Sequence, residues 1–438
     1  MSKIKINYEK YHIKPFPHFD QRIKVNKKVK ENLQNPFYIA AHSFYPFIHY
    51  KKISYKFKNG TLSSPKERDI FYSGHMDGYI YKYYGEILNH KYNNTCIVKG
   101  IDHVSLAYRD NKMGKSNIHF AAEVINFISE QQQAFIFVSD FSSYFDSLDH
   151  AILKEKLIGV LEEQDKLSKD WWNVFKHITK YNWVEKEEVI SDLERTKEKI
   201  ARDKKSRERY YTPAEFREFR KRVSIKSNDT GVGIPQGTAI SAVLANVYAI
   251  DLDQKLNEYA SIYGGIYRRY SDDIIMVLPM TSEGQNPSND HVSFIKSVVK
   301  RNKVTMGDSK TSVLYYANNN IYEDYQRTRE SKMDYLGFSF DGMTVKIREK
   351  SLFKYYHRTY KKINSINWAS VKKEKKVGRK KLYLLYSHLG RNYKGHGNFI
   401  SYCKKAHAVF EGNKKIESLI NQQIKRHWKK IQKRLVDV

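Results

Sequence analysis

Tyr270-Ser271-Asp272-Asp273 stands between two apolar runs, Ile266-Tyr267 before it and Ile274-Ile275-Met276-Val277-Leu278 after it. This reads as strand, tight turn, strand, with two adjacent carboxylates at the tip. Concentrating negative charge there is costly unless something positive sits nearby. A third carboxylate, Asp140, follows Ser139 at the end of the run Ala134-Phe135-Ile136-Phe137-Val138. If the three meet, they form an oxygen-rich site for two Mg²⁺ ions. Such a pair, roughly 3.5–4 Å apart, clamps the attacking and leaving oxygens of an in-line phosphoryl transfer. Plain turn chemistry is the alternative, because Asp is a common turn residue.

The chain has 438 residues, which predicts two to four compact units. Lys and Arg number 78 against 48 Asp and Glu, a formal charge of +30. That field favours a polyanionic partner, nucleic acid first. No apolar run approaches the ~18 residues of a spanning helix, so no membrane partner is expected. The N-terminus lacks the apolar core of a signal peptide. Cys96 and Cys403 are the only cysteines, with neither zinc spacing nor a disulfide framework. A reducing cytoplasm fits. Residues 351–438 carry 23 Lys and Arg against 4 Asp and Glu, so +19 of the +30 lies in that segment.

Further elements are expected along the chain. An amphipathic helix follows Asp77, a strand and basic turn span 104–117, and Ile118–Glu130 is a helix. Another helix is expected over Asp146–Leu157. Residues 185–222 alternate in charge and predict an exposed helical insertion, read as a solvated arm. Gly231-Val232-Gly233-Ile234-Pro235-Gln236-Gly237 is a glycine-punctuated loop, with an apolar helix over Thr238–Lys255. Residues 334–342 predict a second hairpin, and the chain from about 351 is basic and helical.

In order, the chain holds a strand ending in Asp140, a Gly-Ile-Pro-Gln-Gly loop, a Tyr-Ser-Asp-Asp hairpin and a Leu336-Gly337-Phe338 hairpin. Over roughly residues 65–345 this order resembles the reverse transcriptases. The resemblance implies an α+β right-hand polymerase. Its N-terminal region and fingers would cover 1–133. The palm would cover 134–345, with the charged insertion at about 185–222. A basic helical thumb would cover 346–438. Asp140-Phe141-Ser142-Ser143-Tyr144-Phe145 matches the family's first palm motif. That implies Asp140, Asp272 and Asp273 as catalytic metal ligands, with Phe141 and Phe145 beside the nucleotide. Phe145 would be the gate whose ring excludes a 2′-hydroxyl; a core aromatic at a helix start is the alternative. Gln236 and Gly237 would lie against the incoming nucleotide, Gly237 by letting backbone approach closely. Thr238-Ala239-Ile240-Ser241-Ala242 departs from the prolines common there. Lys310 resembles the lysine near leaving pyrophosphate, with a solvated loop lysine as the alternative. Leu336, Gly337 and Phe338 resemble the primer grip.

His75-Met76-Asp77, Ile80-Tyr81, Ala107-Tyr108-Arg109 and Gly114-Lys115-Ser116-Asn117 look like the abortive-infection and defence-associated bacterial reverse transcriptases. Arg109 and Lys115 are candidate triphosphate contacts, or else general backbone-binding cations. The implied activity is addition of deoxynucleotides to a 3′-end on an RNA template, in bacterial anti-phage defence. The implied cofactor is Mg²⁺, two ions, with Mn²⁺ as a substitute. Implied partners are template RNA (a dedicated non-coding RNA is one option), dNTPs and DNA product, with a homo-oligomer or partner protein as further options. Two rivals are a template-independent or protein-primed polymerase, and a non-catalytic RNA-binding protein of the same fold.

Overall fold

The computed structural model describes residues 4, 6–12, 14–53, 57–58, 61–62, 65, 67–196, 209–280, 288–307, 310–373 and 377–435. Its centre is a six-stranded sheet. Strand Gln133–Asp140 lies between Asp273–Pro279 and Ser312–Ala317, both antiparallel to it. Ile266–Tyr270 closes one edge, and Asn320–Tyr322 with Glu330–Ser331 closes the other.

The uninterrupted apolar runs are explained by what covers each face. Side chains alternate across a strand. Phe135, Phe137, Ile274, Met276 and Leu278 enter one core, whereas Ala134, Ile136, Ile275 and Val277 enter a second. Both faces are buried, so neither strand has a polar side. The pairing of Ile136 with Val277 and of Asp140 with Asp273 follows from the same constraint. A slip of one residue would exchange the two cores' side chains.

The first core is built on the helix His75–Val98, with Tyr81, Leu88 and Tyr92 almost wholly inaccessible. Helices Ser241–Tyr248 and Ile250–Ile262 take the place of the single helix expected over 238–255, meeting at Ala249. The helix expected over 146–157 likewise divides, into Tyr144–Ser147 and His150–Leu161, because Asp149 caps the second. Asp149 Oδ1 accepts from the amides of Ala151 and Ile152. Residues 104–117 form turns and a short 3-10 helix, Asp110–Lys112, rather than a strand.

The charged insertion is not a solvated arm in its described parts. Strand Asn182–Glu185 runs parallel to Phe47–Lys51 of the N-terminal region. Helices Lys186–Thr196 and Pro213–Arg222 present Val189, Phe216 and Phe219 to a separate core shared with Phe19 and Ile48. Alternating charge masked this apolar face, since only every third or fourth residue carries it. Residues 197–208 lie outside the described residues.

Met333–Tyr335 and Phe338–Phe340 form the second hairpin, turned by Leu336 (φ 45°) and Gly337 (φ 94°). Thr344–Ile347 pairs with Phe338–Phe340 and, in parallel, with Glu417–Ser418 near the C-terminus. The basic segment is therefore stitched to the hairpin. Helix Phe399–Phe410 packs on Asn117–Glu130 in the second core. A smaller core of Ile363, Ile366, Leu382, Ile431 and Leu435 joins the remaining C-terminal helices. Among the described residues, no helix is long and apolar enough to cross a membrane.

Candidate active site

Asp140 and Asp273 face one another at the open end of the two central strands. The amide of Phe141 donates to the carbonyl of Asp272 at 2.9 Å, tying the first strand's end to the hairpin turn. Backbone pairing alone thus brings the three carboxylate-bearing residues to one place. Ser271 occupies the turn at a left-handed φ of 62°. For a residue with a Cβ this costs about 1–2 kcal/mol. Something must hold it there.

That restraint is Arg269. It is fully buried, and its Nη1 donates to the carbonyl of Ser271 and to Asn246 Oδ1, both at 3.0 Å. Its Nη2 reaches Asp253 at 2.7 Å and Ser105 at 3.1 Å. The Arg269–Asp253 pair is wholly inaccessible to solvent. A guanidinium has five fixed donors, so one side chain orients the turn against two helices and a loop. Tyr267 and Arg269 occupy the same face of their strand. A cation in the inward register of a buried strand is the sequence signal that would have revealed this pair.

The carboxylates differ in surroundings. Asp140 is 7% exposed, and its Oδ1 is buried with no hydrogen-bond partner among the described residues. Its Oδ2 is paired with the Lys310 ammonium. Asp272 is half-buried, and Asp273 is accessible at the cleft floor. Desolvation by the surrounding protein, then the charges of Asp272 and Asp140, push the Asp273 carboxyl up to about 6, against the opposing pull of Arg348 and Lys310. Its folded value lies above that of an unfolded Asp, about 3.9. Without a cation, its ionisation therefore costs stability increasingly as pH rises between those two values.

Among the described residues, no three His, Cys, Asp or Glu side chains form a ready-made metal cage. The donor set nonetheless suits Mg²⁺, which binds through one or two carboxylates and completes its shell with water and substrate phosphate. The unpartnered Oδ1 of Asp140 is the observation that fits such an ion. Gly307, which sequence reading missed, packs against that atom. A Cβ at 307 would lie 2.7 Å from Asp140 Oδ1, and the Gly307 amide donates to the Asp140 carbonyl at 3.0 Å. Gly307→Ala should displace the carboxylate by a few tenths of an ångström or more. We expect kcat to fall by roughly 10²-fold with little change in melting temperature. Steady-state primer extension checks this, and an unchanged kcat would show that Asp140 tolerates displacement.

The nucleotide-side loop is drawn in as well. Ile234 donates to the Phe145 carbonyl at 2.9 Å, and Gln236 Nε2 lies 3.4 Å from Asp146 Oδ1. Phe145 is half-buried. Gly237 sits at φ 119°, where a Cβ would meet the Phe71 carbonyl at 2.8 Å. Its close backbone approach is thus to the Asp69–Tyr72 strand. Cavities of about 360 and 370 Å³ share Tyr270. The first places Asp273 beside Leu336, Gly337 and Arg348, and the second holds Tyr108, Lys112 and Lys115.

Three residues are not placed as expected. The Arg109 side chain is fully buried, with donors spent on Asn93 Oδ1 (2.7 Å), the carbonyls of Asp102 (2.6 Å) and Ser105 (3.0 Å), and the Asp102 carboxylate. It braces the loop while still lining the cavity that holds Lys112 and exposed Lys115. The Phe141 ring is buried against Tyr144, so only its backbone serves the site. The Phe338 ring is likewise in the core, packed edge-on against Phe410. Leu336 and Gly337 form the accessible tip, held by Asn117 Nδ2 donating to the Leu336 carbonyl at 2.9 Å. Asp308 and Ser309 beside Lys310 lie outside the described residues.

The family model for reverse transcriptase (RNA-dependent DNA polymerase) matches residues 80–340, well over half of the chain. No curated protein matches. Solved structures that it resembles include apo telomerase from Candida tropicalis truncated from its C-terminal domain. That match has 12% identity and a TM-score of 0.40, over 68% of this chain and 55% of that one. Another is telomerase from Candida albicans in complex with a TWJ fragment of telomeric RNA. There identity is 14% and the TM-score 0.41, over 94% of this chain and 59% of that one. The chain thus spans a little over half the length of these two. The matched segment contains the paired carboxylate strands, the Pro-Gln-Gly loop and the Leu-Gly-Phe hairpin, and the chain belongs to the reverse transcriptase (RNA-dependent DNA polymerase) family.

Proposed function

We propose that the chain extends a DNA 3′-end with deoxynucleotides, copying an RNA template by two-metal phosphoryl transfer. The observation that carries this reading is the pairing of Asp140 with Asp273, with Asp272 tied to the same strand end and Asp140 Oδ1 left unpartnered. Asp140, Asp272 and Asp273 would hold two Mg²⁺ ions, for which Mn²⁺ can substitute. Bound there, the ions would neutralise charge on the attacking and leaving oxygens. Lys310 would neutralise the pyrophosphate side once an ion takes its place at Asp140. Gln236 and Phe145 flank the sugar and base of the nucleotide, and Leu336 with Gly337 guides the primer end.

The gate tests the substrate assignment. Phe145→Ala should raise ribonucleotide use relative to deoxynucleotide use by roughly 10–10²-fold, the range of one lost apolar contact in a pocket. Competition assays with matched dNTP and rNTP measure it. An unchanged sugar preference would overturn the gate.

Residues 1–133 are proposed as N-terminal region and fingers, 134–345 as palm, and 346–438 as a thumb that grips backbone phosphate. The thumb's support is its +19 charge over 351–438 and its joint with the primer hairpin. Each phosphate neutralised adds about −0.7 to −0.9 to the log–log salt slope, so several contacts give a slope of several units. Charge-reversing exposed lysines such as Lys361 and Lys404 should flatten that slope, measured by anisotropy across a salt series. A slope unchanged in the variants would remove the thumb assignment. We further propose a cytoplasmic role in bacterial anti-phage defence, supported by the Ala107-Tyr108-Arg109 and Gly114-Lys115-Ser116-Asn117 stretches. Loss of plaque protection in an Asp272→Asn strain tests it. One observation favours a protein-primed variant. Tyr108 is 53% exposed, held at φ 61°, and lines the cavity that contains Tyr270. DNA that stays covalently attached to the wild-type chain but not to Tyr108→Phe would establish that reading.

A further inference from the structure

A cavity of about 370 Å³ lies on the far side of the nucleotide-side loop, at the start of helix His75–Val98. Thr238 and Ala239, just past the Pro-Gln-Gly turn, form one wall; Gln236, Phe145 and the carboxylates do not line it. Its rim is cationic. Lys10, Lys14 and Lys82 line it together with His12 and His75, and among the described residues no carboxylate does. Glu86 stands close enough for its charge to act on Lys10 and Lys82, so three lysines face one carboxylate there, and two further acids have partners of their own. Asp20 Oδ2 accepts from the Met76 amide at 2.9 Å, and Asp77 pairs with His42 at 2.7 Å.

Two features show that this is more than a solvated basic patch. His75 is only 5% exposed, stacks on Phe16, and has a buried Nε2 with no hydrogen-bond partner among the described residues. A buried polar atom left unpaired is costly, and a ligand acceptor or donor would satisfy it. Lys82 is held in place, its ammonium donating to the Lys10 carbonyl and lying 4.2 Å from the centre of the Tyr11 ring. Tyr11, Tyr79 and Pro15 add apolar surface to the same lining, with Tyr11 directly beneath the Lys82 ammonium. The space exceeds what inorganic phosphate needs and falls within the ~300–1,000 Å³ usual for small-ligand sites.

We propose that this cavity binds a nucleoside 5′-phosphate, with the phosphate at Lys10, Lys14 and Lys82 and the nucleoside against the apolar lining of Tyr79 and Pro15. The ligand is either the 5′-terminal nucleotide of an RNA or a free mononucleotide. The site is separate from the polymerising cleft, and Thr238 with Ala239 connects it to the loop that carries Gln236. Occupancy would therefore bear on the loop that carries Gln236 without competing for the incoming nucleotide.

The test uses the full chain and needs no polymerisation. A 12-nucleotide RNA labelled at its 3′-end is compared with a 5′-monophosphate and with a 5′-hydroxyl, by anisotropy. AMP, GMP, CMP and UMP are titrated separately by calorimetry. One added charge-assisted phosphate contact predicts about tenfold tighter binding of the phosphorylated end, or a saturable mononucleotide isotherm. Either result supports the proposal and identifies the source. Lys10→Glu with Lys14→Glu, both exposed positions, should erase that preference or isotherm. His75→Gln should weaken it. Lys361→Glu in the basic C-terminal segment should lower total RNA affinity but leave the ratio intact. Equal affinity for both RNA ends together with no mononucleotide binding overturns the proposal, as does a preference that survives the double variant.

Discussion

Asp140→Asn will abolish nucleotide incorporation, by roughly 10³-fold or more, while the chain remains folded and still binds RNA. The substitution keeps the size of the side chain and removes only the charge. Nothing in the core depends on that charge. Its sole ion-pair partner among the described residues is Lys310, more than half exposed, whose loss of a partner costs little. What is lost is a deeply buried carboxylate whose Oδ1 has no partner among the described residues. Single-nucleotide extension under saturating dNTP measures the effect, and melting temperature with RNA anisotropy controls for the fold. Near-normal incorporation by Asp140→Asn would remove the metal-site reading altogether. A variant that fails to fold would instead show that Asp140 is a structural residue.

The second large effect is on stability. Asp253→Ala should destabilise the chain by about 3–5 kcal/mol, because it leaves the Arg269 guanidinium buried without its counter-charge. Arg269 would keep Asn246, Ser105 and the Ser271 carbonyl as partners, but none of these carries charge. The denaturant midpoint should fall accordingly. Since Arg269 also holds the turn that presents Asp272 and Asp273, kcat should fall even under conditions where Asp253→Ala is fully folded. Asp253→Asn, which can still accept from Arg269, should recover part of both losses. A midpoint within 1 kcal/mol of the parent chain would mean that water reaches the pair, contrary to its complete burial here.

The catalytic framework was legible because it depends on local pattern. Two apolar runs bounded by Asp140 and by Ser271-Asp272 can only be central strands, since both faces of each are covered. Period-two alternation then fixes which residues share a face. The hairpin at 334–342 was legible for a similar reason, with Leu336-Gly337 as its turn. The charged insertion was misread because charge on a helix surface says nothing about the face beneath it. Val189, Phe216 and Phe219 find their partners in Phe19 and Ile48, far away in sequence.

The sequence by itself determined the order of the motifs, the identity of the three carboxylates and the basic character of the C-terminal segment. Each is a property of residues near one another in the chain. Only the tertiary structure decided which side chains face the cleft. Arg109, Phe141 and Phe338 lie within the motifs yet turn inward, because the burial of a side chain is set by what packs against it from elsewhere. Gly307 beside Asp140, and Arg269 clamped between Asp253 and the Ser271 carbonyl, owe their roles to close approach between distant segments. Such approach is a consequence of the register of the central sheet. It has no signature in any single stretch of sequence.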